Sequence, residues 1–398
     1  MPKLADSMNC TGCAACANGC NHQAITMQPD AEGFLIPVVN DEKCVECRLC
    51  ENSCPVITDN ECKNSILPKT FAMWSNPDRT VSSSGGAFSA FARVILGKGG
   101  VVFGAAFDKD LNCKHTEART LEELAPLRGS KYVQSDIGTT YNKVKEYLKK
   151  DRWVLYTGTP CQIAGLYAFL RKTYDKLVTL DLACHGVPSN KIFHAYLKKM
   201  KMSRPEFTGL EGYEFRRRDG WGKSPSIAVK GKLTPIYDTD ALYMCAFDRA
   251  AIFRNCCYDC QYTKMPRVGD CSIADFWGLG RYGTPFKHNV LKGVSLVLAN
   301  SEKGEAILSE MKDVFIEERT LGEALIENHN LKFPSKKDLC RDEIIKAFLN
   351  EDKTLVDIDR EFNLVDHSLK GIVKKYALKY HLFDVVQVVY NFYKTHKL

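Results

Sequence analysis

Residues 152–172, RWVLYTGTPCQIAGLYAFLRK, followed at 176–184 by KLVTLDLAC, decide how this chain folds. RWVLYTG is short, apolar and rich in β-forming residues, which predicts a strand. TPCQ is the turn after it and IAGLYAFLRK a helix, and KLVTLDLAC is the next strand. A strand–helix–strand unit is almost always a right-handed parallel crossover. Cys161 and Cys184 then both stand at the carboxyl ends of parallel strands, the rim at which open α/β sheets bind ligands. If those strands are neighbours, their backbones run about 5 Å apart. Two thiols on one rim are half of a cluster site.

The other half lies in RNCCYDCQY, where Cys257 and Cys260 form C-x2-C. Together the four cysteines predict a [4Fe-4S] cluster. Cys256 competes with Cys257, and Cys271 in GDCSIADFWG competes for any one place. Alone, Cys161 would read as a small buried residue or as a thiolate activated by a helix N-terminus. The cysteine content of the rest of the chain tips the balance.

The 398 residues hold 18 cysteines. Cys10, Cys13, Cys16 and Cys20 follow C-x2-C-x2-C-x3-C, and Cys44, Cys47, Cys50 and Cys54 repeat it, with Pro55 next and Asn21 in the equivalent place of the first copy. Zinc sites favour separated C-x2-C pairs, whereas this duplication is that of two [4Fe-4S] clusters in which the fourth cysteine of each run serves the other cube. Cys10, Cys13, Cys16 and Cys54 are thus expected to hold one cluster, and Cys44, Cys47, Cys50 and Cys20 the second. HQAITM and EGFLIPVVN supply the two short strands of such a domain. So little core implies that the clusters stabilise it.

An apolar share of 45% and a charged share of 26% are those of an ordinary globular protein. The net charge of +7 reads as a lysine-rich solvated surface, and no nucleic-acid motif occurs. No apolar run reaches the roughly 18 residues of a membrane span, and MPKLADSMNC lacks the layout of a signal peptide, so a cytoplasmic location is expected. There disulfides are disfavoured, which again points the cysteines to metal.

The body alternates strands and helices. FAMWS, VVFGAAF and CKHTEA read as strands, and SSSGGAFSAFARVILGKGG as a loop and a helix. TLEELAPL opens on a capping box, Thr120 with Glu123, and SDIGTTYNKVKEYLKK is an amphipathic helix. The fold class is α/β (α+β overall). A ferredoxin-type domain (1–62) precedes a larger α/β domain with a mixed sheet (63–330) and a helical C-terminal region (331–398). In the tail, Ile372, Val373, Tyr376, Leu382, Val385, Val386 and Val389 recur at helical spacing, expected to pack on the body or on a second subunit rather than on a membrane.

SSGGAFSAF, GSKYVQS, GTPCQIAGL, CHGVPS, FRRRDGW, CCYDC and GDCSIADFWG, in that order, resemble the coenzyme F420 hydrogenase/dehydrogenase beta-subunit family, most closely its bacterial branch with an N-terminal two-cluster ferredoxin. The resemblance runs from residue 1 to about 350 and includes NLKFPSKKDLCRDEIIKAF. It implies an iron–sulfur flavoprotein with FAD as the usual flavin and FMN the alternative. It places Ser83, Ser84, Gly85 and Gly86 at the flavin phosphates or ring, and Gly129, Ser130, Lys131 and Tyr132 on the flavin wall. Lys131 would then stabilise negative charge on a reduced flavin, and His185 would give a proton to a substrate beside it. The plainer readings are a solvated lysine and a histidine satisfying a backbone carbonyl. Arg216 to Arg218 with Trp221 read equally as an anion-binding loop or a salt-bridged strand, and Asp275 ends a strand.

The expected function is an oxidoreductase that passes electrons between the clusters and a flavin acting on an organic substrate, with surface-polysaccharide metabolism as the setting the resemblance suggests. A redox partner protein, a ferredoxin or similar donor, follows from it, and an oligomer is admitted. The rivals are a non-catalytic electron-transfer subunit and a coenzyme F420 reductase.

Overall fold

The computed structural model describes residues 1–58, 62–221, 224–282, 284–380, 382–383 and 385–386. The strands are β1 (Ile25–Pro29), β2 (Leu35–Val39), β3 (Lys69–Ser75), β4 (Val101–Phe107), β5 (Cys113–Ala118), β6 (Val154–Gly158), β7 (Leu177–Leu182), β8 (Leu210–Glu214), β9 (Ser226–Val229), β10 (Lys232–Pro235), β11 (Cys271–Asp275), β12 (Ser295–Ala299) and β13 (Val314–Arg319). Eight of them form one mixed sheet in the order β13-β3-β12-β11-β7-β6-β4-β5. Its centre is parallel, β11-β7-β6-β4, and its flanks are antiparallel.

The opening unit folds as expected. β6 pairs in parallel with β7, Val154 opposite Leu177, and the helix Pro160–Leu170 joins them. Thr159 and Gln162 close a reciprocal capping box at its start, with Pro160 pre-set for the first turn, and Arg171 in a left-handed conformation ends it. Alternation along the strands sorts the faces. Val102, Leu155 and Val178 pack under the helix Ala87–Gly97, while Phe103, Val154 and Tyr156 pack under Thr140–Lys149 and Pro160–Leu170.

Between β7 and β11 the chain leaves the sheet to build a second core. The helix Asn190–Ser203, the three-stranded sheet β10-β9-β8, the helix Leu242–Asp248 and the later helices Arg341–Leu349 and Leu355–Phe362 share it. The N-terminal segment is a β1-β2 hairpin with two four-residue helices, Ala15–Asn18 and Leu49–Asn52. It is packed on the body: Cys13, Ala14 and Ala15 belong to the core of the helix Pro160–Leu170. Glu32, at the hairpin turn, pairs with the buried Arg341 at 2.6 Å.

Two local expectations are corrected. Glu123 N donates to Thr120 Oγ1, but the Glu123 carboxylate accepts from Arg119 N, and the segment is a 3-10 turn with Pro126 inside it, so no capping box forms. The tail does form a helix, Leu369–Lys379, burying Ala377 and Leu378. However, Ile372, Val373, Tyr376, Leu382, Val385 and Val386 are exposed, so this face does not pack on the body and the second-subunit alternative stays an expectation; Val389 lies outside the described residues.

Candidate functional site

Cys10, Cys13, Cys16 and Cys54 line one small apolar cavity, and Cys20, Cys44, Cys47 and Cys50 line another. The crossing of the fourth cysteines expected from the repeat is therefore what the fold produces. Its local cause is the same in both copies. Gly12 and Glu46 have positive φ, as do Ala14 and Arg48, so each loop curls its first two thiols inward and leads into a one-turn helix that carries the third. Burial pushes the Cys13 thiol up to about 11 and raises Cys10 and Cys16 as well. Such thiols are inert as nucleophiles, whereas binding iron removes their protons outright.

Cys161 follows β6, Cys184 follows β7, and Cys257 and Cys260 sit on the turn Asn255–Asp259 and just beyond it. The fold brings these four together. Burial raises the Cys161 thiol well above its ordinary value, and its neighbours Cys260, Cys184 and Cys256 add to the effect. Cys184 is pushed up to about 12 by burial and by Cys260. The helix N-terminus thus does not make Cys161 a reactive thiolate. Cys256 adjoins the group and exchanges a hydrogen bond with Cys257. Cys271 is excluded: it opens β11 opposite Leu180, fully buried in the apolar core of the sheet. Among the described residues no three His, Cys, Asp or Glu side chains are gathered tightly enough for a single metal ion. Thiols around a cube stand farther apart than zinc–sulfur bonds of about 2.3 Å allow.

Beside this group lies a cavity of about 1510 Å³, open mouth included. Cys184 and His185 form part of its wall, together with Ser83, Ser84, Gly86, Gly129, Ser130, Lys131 and Tyr132. The residues singled out for a flavin therefore surround one space, except Gly85. That glycine lies against the strands, where a Cβ would come within 2.3 Å of the Met73 carbonyl. The turn below is held by Asp78, which is buried and ion-paired to Arg93 and Arg128, at 2.7 and 3.1 Å, and bonded by Ser75 Oγ.

Lys131 is half-buried rather than free in solvent. Its Nζ donates to the carbonyls of Pro126 and Arg128 at 2.7 and 2.8 Å, and burial lowers its pKa to about 8. His185 is exposed and opens onto the cavity; partial desolvation, then Arg216 and His329, lowers its pKa. Its carbonyl accepts from Ser335 Oγ, while the ring lies 6.4 Å from that of Phe247. The arginine loop is salt-bridged: Arg217 to Asp219, Arg218 to Glu214 and Arg216 to Asp275, which also accepts from Trp221 Nε1. Arg216 and Asp275 nonetheless line the cavity as a pair.

The floor of the cavity was not legible beforehand. His115 Nε2 lies 2.8 Å from the Thr157 carbonyl, and Nδ1 lies 2.8 Å from Ser135 Oγ. Burial drops this histidine to about 4, so it is neutral, with its proton on Nε2 toward the carbonyl. Ser135 Oγ accepts from Gln162 Nε2, and Gln162 Oε1 accepts from Thr159 N. Thr159 Oγ1 lies 3.1 Å from Cys161 Sγ, so one network ties the cavity floor to the cysteine turn.

Two interleaved fours of thiols, in a segment whose residues 9–57 match the 4Fe-4S dicluster domain, define an iron–sulfur electron-transfer protein. Residues 151–323 match the C-terminal part of the coenzyme F420 hydrogenase/dehydrogenase beta-subunit family. Over that region the chain is similar to this family. It is 38% identical over 66 residues to an uncharacterized polyferredoxin-like protein of Methanocaldococcus jannaschii, a match covering 15% of this chain and 39% of that protein. A chain of the F420-reducing [NiFe] hydrogenase complex from Methanosarcina barkeri aligns with a TM-score of 0.44 and 17% identity, covering 77% of this chain and 95% of that one.

Proposed function

We propose that the chain is an iron–sulfur flavoprotein oxidoreductase, linking one-electron carriers at its N-terminus to two-electron chemistry on an organic molecule in the central cavity. The observation that carries this is the position of Cys184, shared by the third group of thiols and the cavity wall. Cys10, Cys13, Cys16 and Cys54 would hold one [4Fe-4S] cluster, Cys20, Cys44, Cys47 and Cys50 a second, and Cys161, Cys184, Cys257 and Cys260 a third. FAD is the expected occupant of the cavity, with FMN as the smaller alternative. A flavin there would supply the conversion between single electrons and hydride equivalents.

The cavity fits such a group on its own evidence. Among the described residues Ser84 Oγ is buried without a hydrogen-bond partner, a donor left for a ligand. Gly86, at φ +86, lets the turn Ser82–Gly86 lead directly into the helix Ala87–Gly97. Gly129, with open space where a Cβ would stand, leaves the opposite wall clear. Lys131, held by two carbonyls, keeps a third N–H for an anionic ring edge. His185 stands on the same wall as Cys184, placed to give or take a proton at a substrate.

The test is anaerobic purification with iron and flavin counted per chain. About 12 irons, three cubes of four, with one flavin are expected. About 8 irons would remove the third cluster and its four ligands. Zinc without flavin would reject the scheme.

A second reading, an electron-transfer subunit of a larger assembly, is favoured by one feature: the exposed apolar residues of the tail, Ile372, Val373 and Tyr376 among them. Turnover of an organic substrate by the isolated chain would exclude it. Bleaching of added coenzyme F420 would instead identify a deazaflavin reductase.

A further inference from the structure

Among the described residues, Arg254, Arg267 and Arg341 are the arginines with fully buried side chains. Two of them are neutralised by carboxylates: Arg267 by Asp181 at 2.7 Å, and Arg341 by Glu32 at 2.6 Å. Arg254 has no carboxylate within ion-pair reach among the described residues. Its Nε donates to the Cys10 carbonyl at 2.6 Å, Nη1 to Gln134 Oε1 at 3.1 Å and Nη2 to the Leu35 carbonyl at 3.1 Å. The guanidinium also lies over the Phe34 ring. Two thiols lie close enough to feel its charge, those of Cys10 and Cys256.

A guanidinium does not deprotonate in a protein, and an isolated buried charge costs several kcal/mol. Dipoles of carbonyls and an amide offset part of that, and the rest calls for an anion. We infer that the anion is the iron–sulfur cluster held by Cys10, Cys13, Cys16 and Cys54, and that Arg254 is a positioning residue that sets its reduction potential. This rests on the ligand sets proposed above. The sign follows from electrostatics. A reduced cluster carries one more negative charge than an oxidised one, so a fixed cation beside it favours the reduced form and raises the potential. The low dielectric of a buried site strengthens the effect.

The geometry gives Arg254 a second job. Its backbone N donates to the Val187 carbonyl, on the segment after Cys184, and it directly precedes the turn carrying Cys256 and Cys257. Gln134, its amide partner, donates through Nε2 to the Thr11 carbonyl at 2.8 Å and also lines the central cavity. One cation therefore stands where the N-terminal thiols, the third group and the cavity meet. A cluster of raised potential there would draw electrons inward from the outer one.

The experiment is an EPR-monitored redox titration of the full chain, with iron counted on the same samples. Arg254→Gln is expected to lower the midpoint of one cluster and leave the other two in place, and Arg254→Lys, which keeps the charge, to restore most of the shift. Gln134→Glu tests the idea without removing the arginine. It places a carboxylate against the guanidinium and is expected to lower the same midpoint, whether or not Arg254→Gln assembles. Full iron content with all midpoints unmoved in Gln134→Glu would overturn the inference. So would an Arg254→Lys protein shifted as far as Arg254→Gln. A wild-type iron count that lacks the N-terminal clusters would instead overturn the ligand assignment beneath it.

Discussion

The two N-terminal sulfur cavities are near copies in sequence and backbone, yet their surroundings differ completely. Both use a C-x2-C-x2-C loop with two positive-φ residues and a one-turn helix. The inner one is walled by the body. Cys10, Cys13, Cys16 and Cys54 are all buried, and Pro55, next to Cys54, accepts long bonds from Gln261 Nε2 and Tyr262 Oη, just after Cys260. At the outer one Cys47 is exposed, and the nearby charges are surface pairs such as the N-terminal amine with Glu46. The repeat thus encodes how a cage is made, and the neighbours decide what it serves. Under the proposed function, the inner site would hand electrons onward and the outer one would meet a protein donor.

The comparison breaks most sharply at a single ligand. Cys54→Ser is expected to abolish delivery of electrons to the cavity from any donor, because the inner cage lies between entrance and cavity. Cys20→Ser is expected to stop reduction by a protein donor while sparing reduction by a small, freely diffusing reductant. Stopped-flow bleaching of the visible band separates the two, and equal losses with both reductants in both variants would erase the distinction between inner and outer sites.

A smaller effect is expected where the inner site touches the helix Pro160–Leu170. A Cβ on Gly165 would lie 2.8 Å from both Cβ and Sγ of Cys13. Gly165 stands one turn along from Cys161, about 6 Å at 1.5 Å per residue, so the approach allowed by this glycine keeps the inner and third groups close. Gly165→Ala is expected to cost about 1–3 kcal/mol by overpacking and to slow transfer between those groups. Gly97→Ala, where a Cβ meets nothing within 4 Å, is the control and should be near neutral. Thermal unfolding of the holoprotein measures both.

How much of this could be read in advance divides along a physical line. The spacing of the first eight cysteines fixes their loops locally, and the β6–helix–β7 unit carries its own turn, cap and period, so both were legible. So was the convergence of Cys161 with Cys184, since parallel neighbours share a rim. What stayed hidden depends on distant chain. That Cys256 rather than Cys271 adjoins the third group follows from the register of β11 against β7, which no local pattern states. Lys131 looks solvated in GSKYVQS, and only the folded wall half-buries it. Arg254 sits in a run of cysteines that draws the eye from it, and its lack of a carboxylate partner is a fact of packing. Which of the two expected partners covers the tail stayed open, because apolar periodicity marks a face without saying what covers it.

The least of the expected effects asks whether burial, which separates the two sulfur sites, also tunes the cavity. Lys131 has its pKa lowered from 10.5 to about 8, chiefly by burial. Between those values the unfolded chain binds the proton and the folded chain does not, so this group's destabilising contribution is full below pH 8 and fades as pH rises toward 10.5. Lys131→Met should therefore raise the melting temperature of the flavin-free protein at neutral pH, with the gain vanishing at high pH. If the cavity holds the proposed flavin, the ammonium would favour a negatively charged reduced ring below pH 8, and the flavin midpoint should then fall through that pH more steeply in wild type than in Lys131→Met. The cluster midpoints should stay put. Parallel pH slopes in the two proteins would mean that the lysine only buttresses the Pro126 and Arg128 carbonyls, and that the cavity, unlike the inner sulfur site, takes no electrostatic character from its half-buried cation.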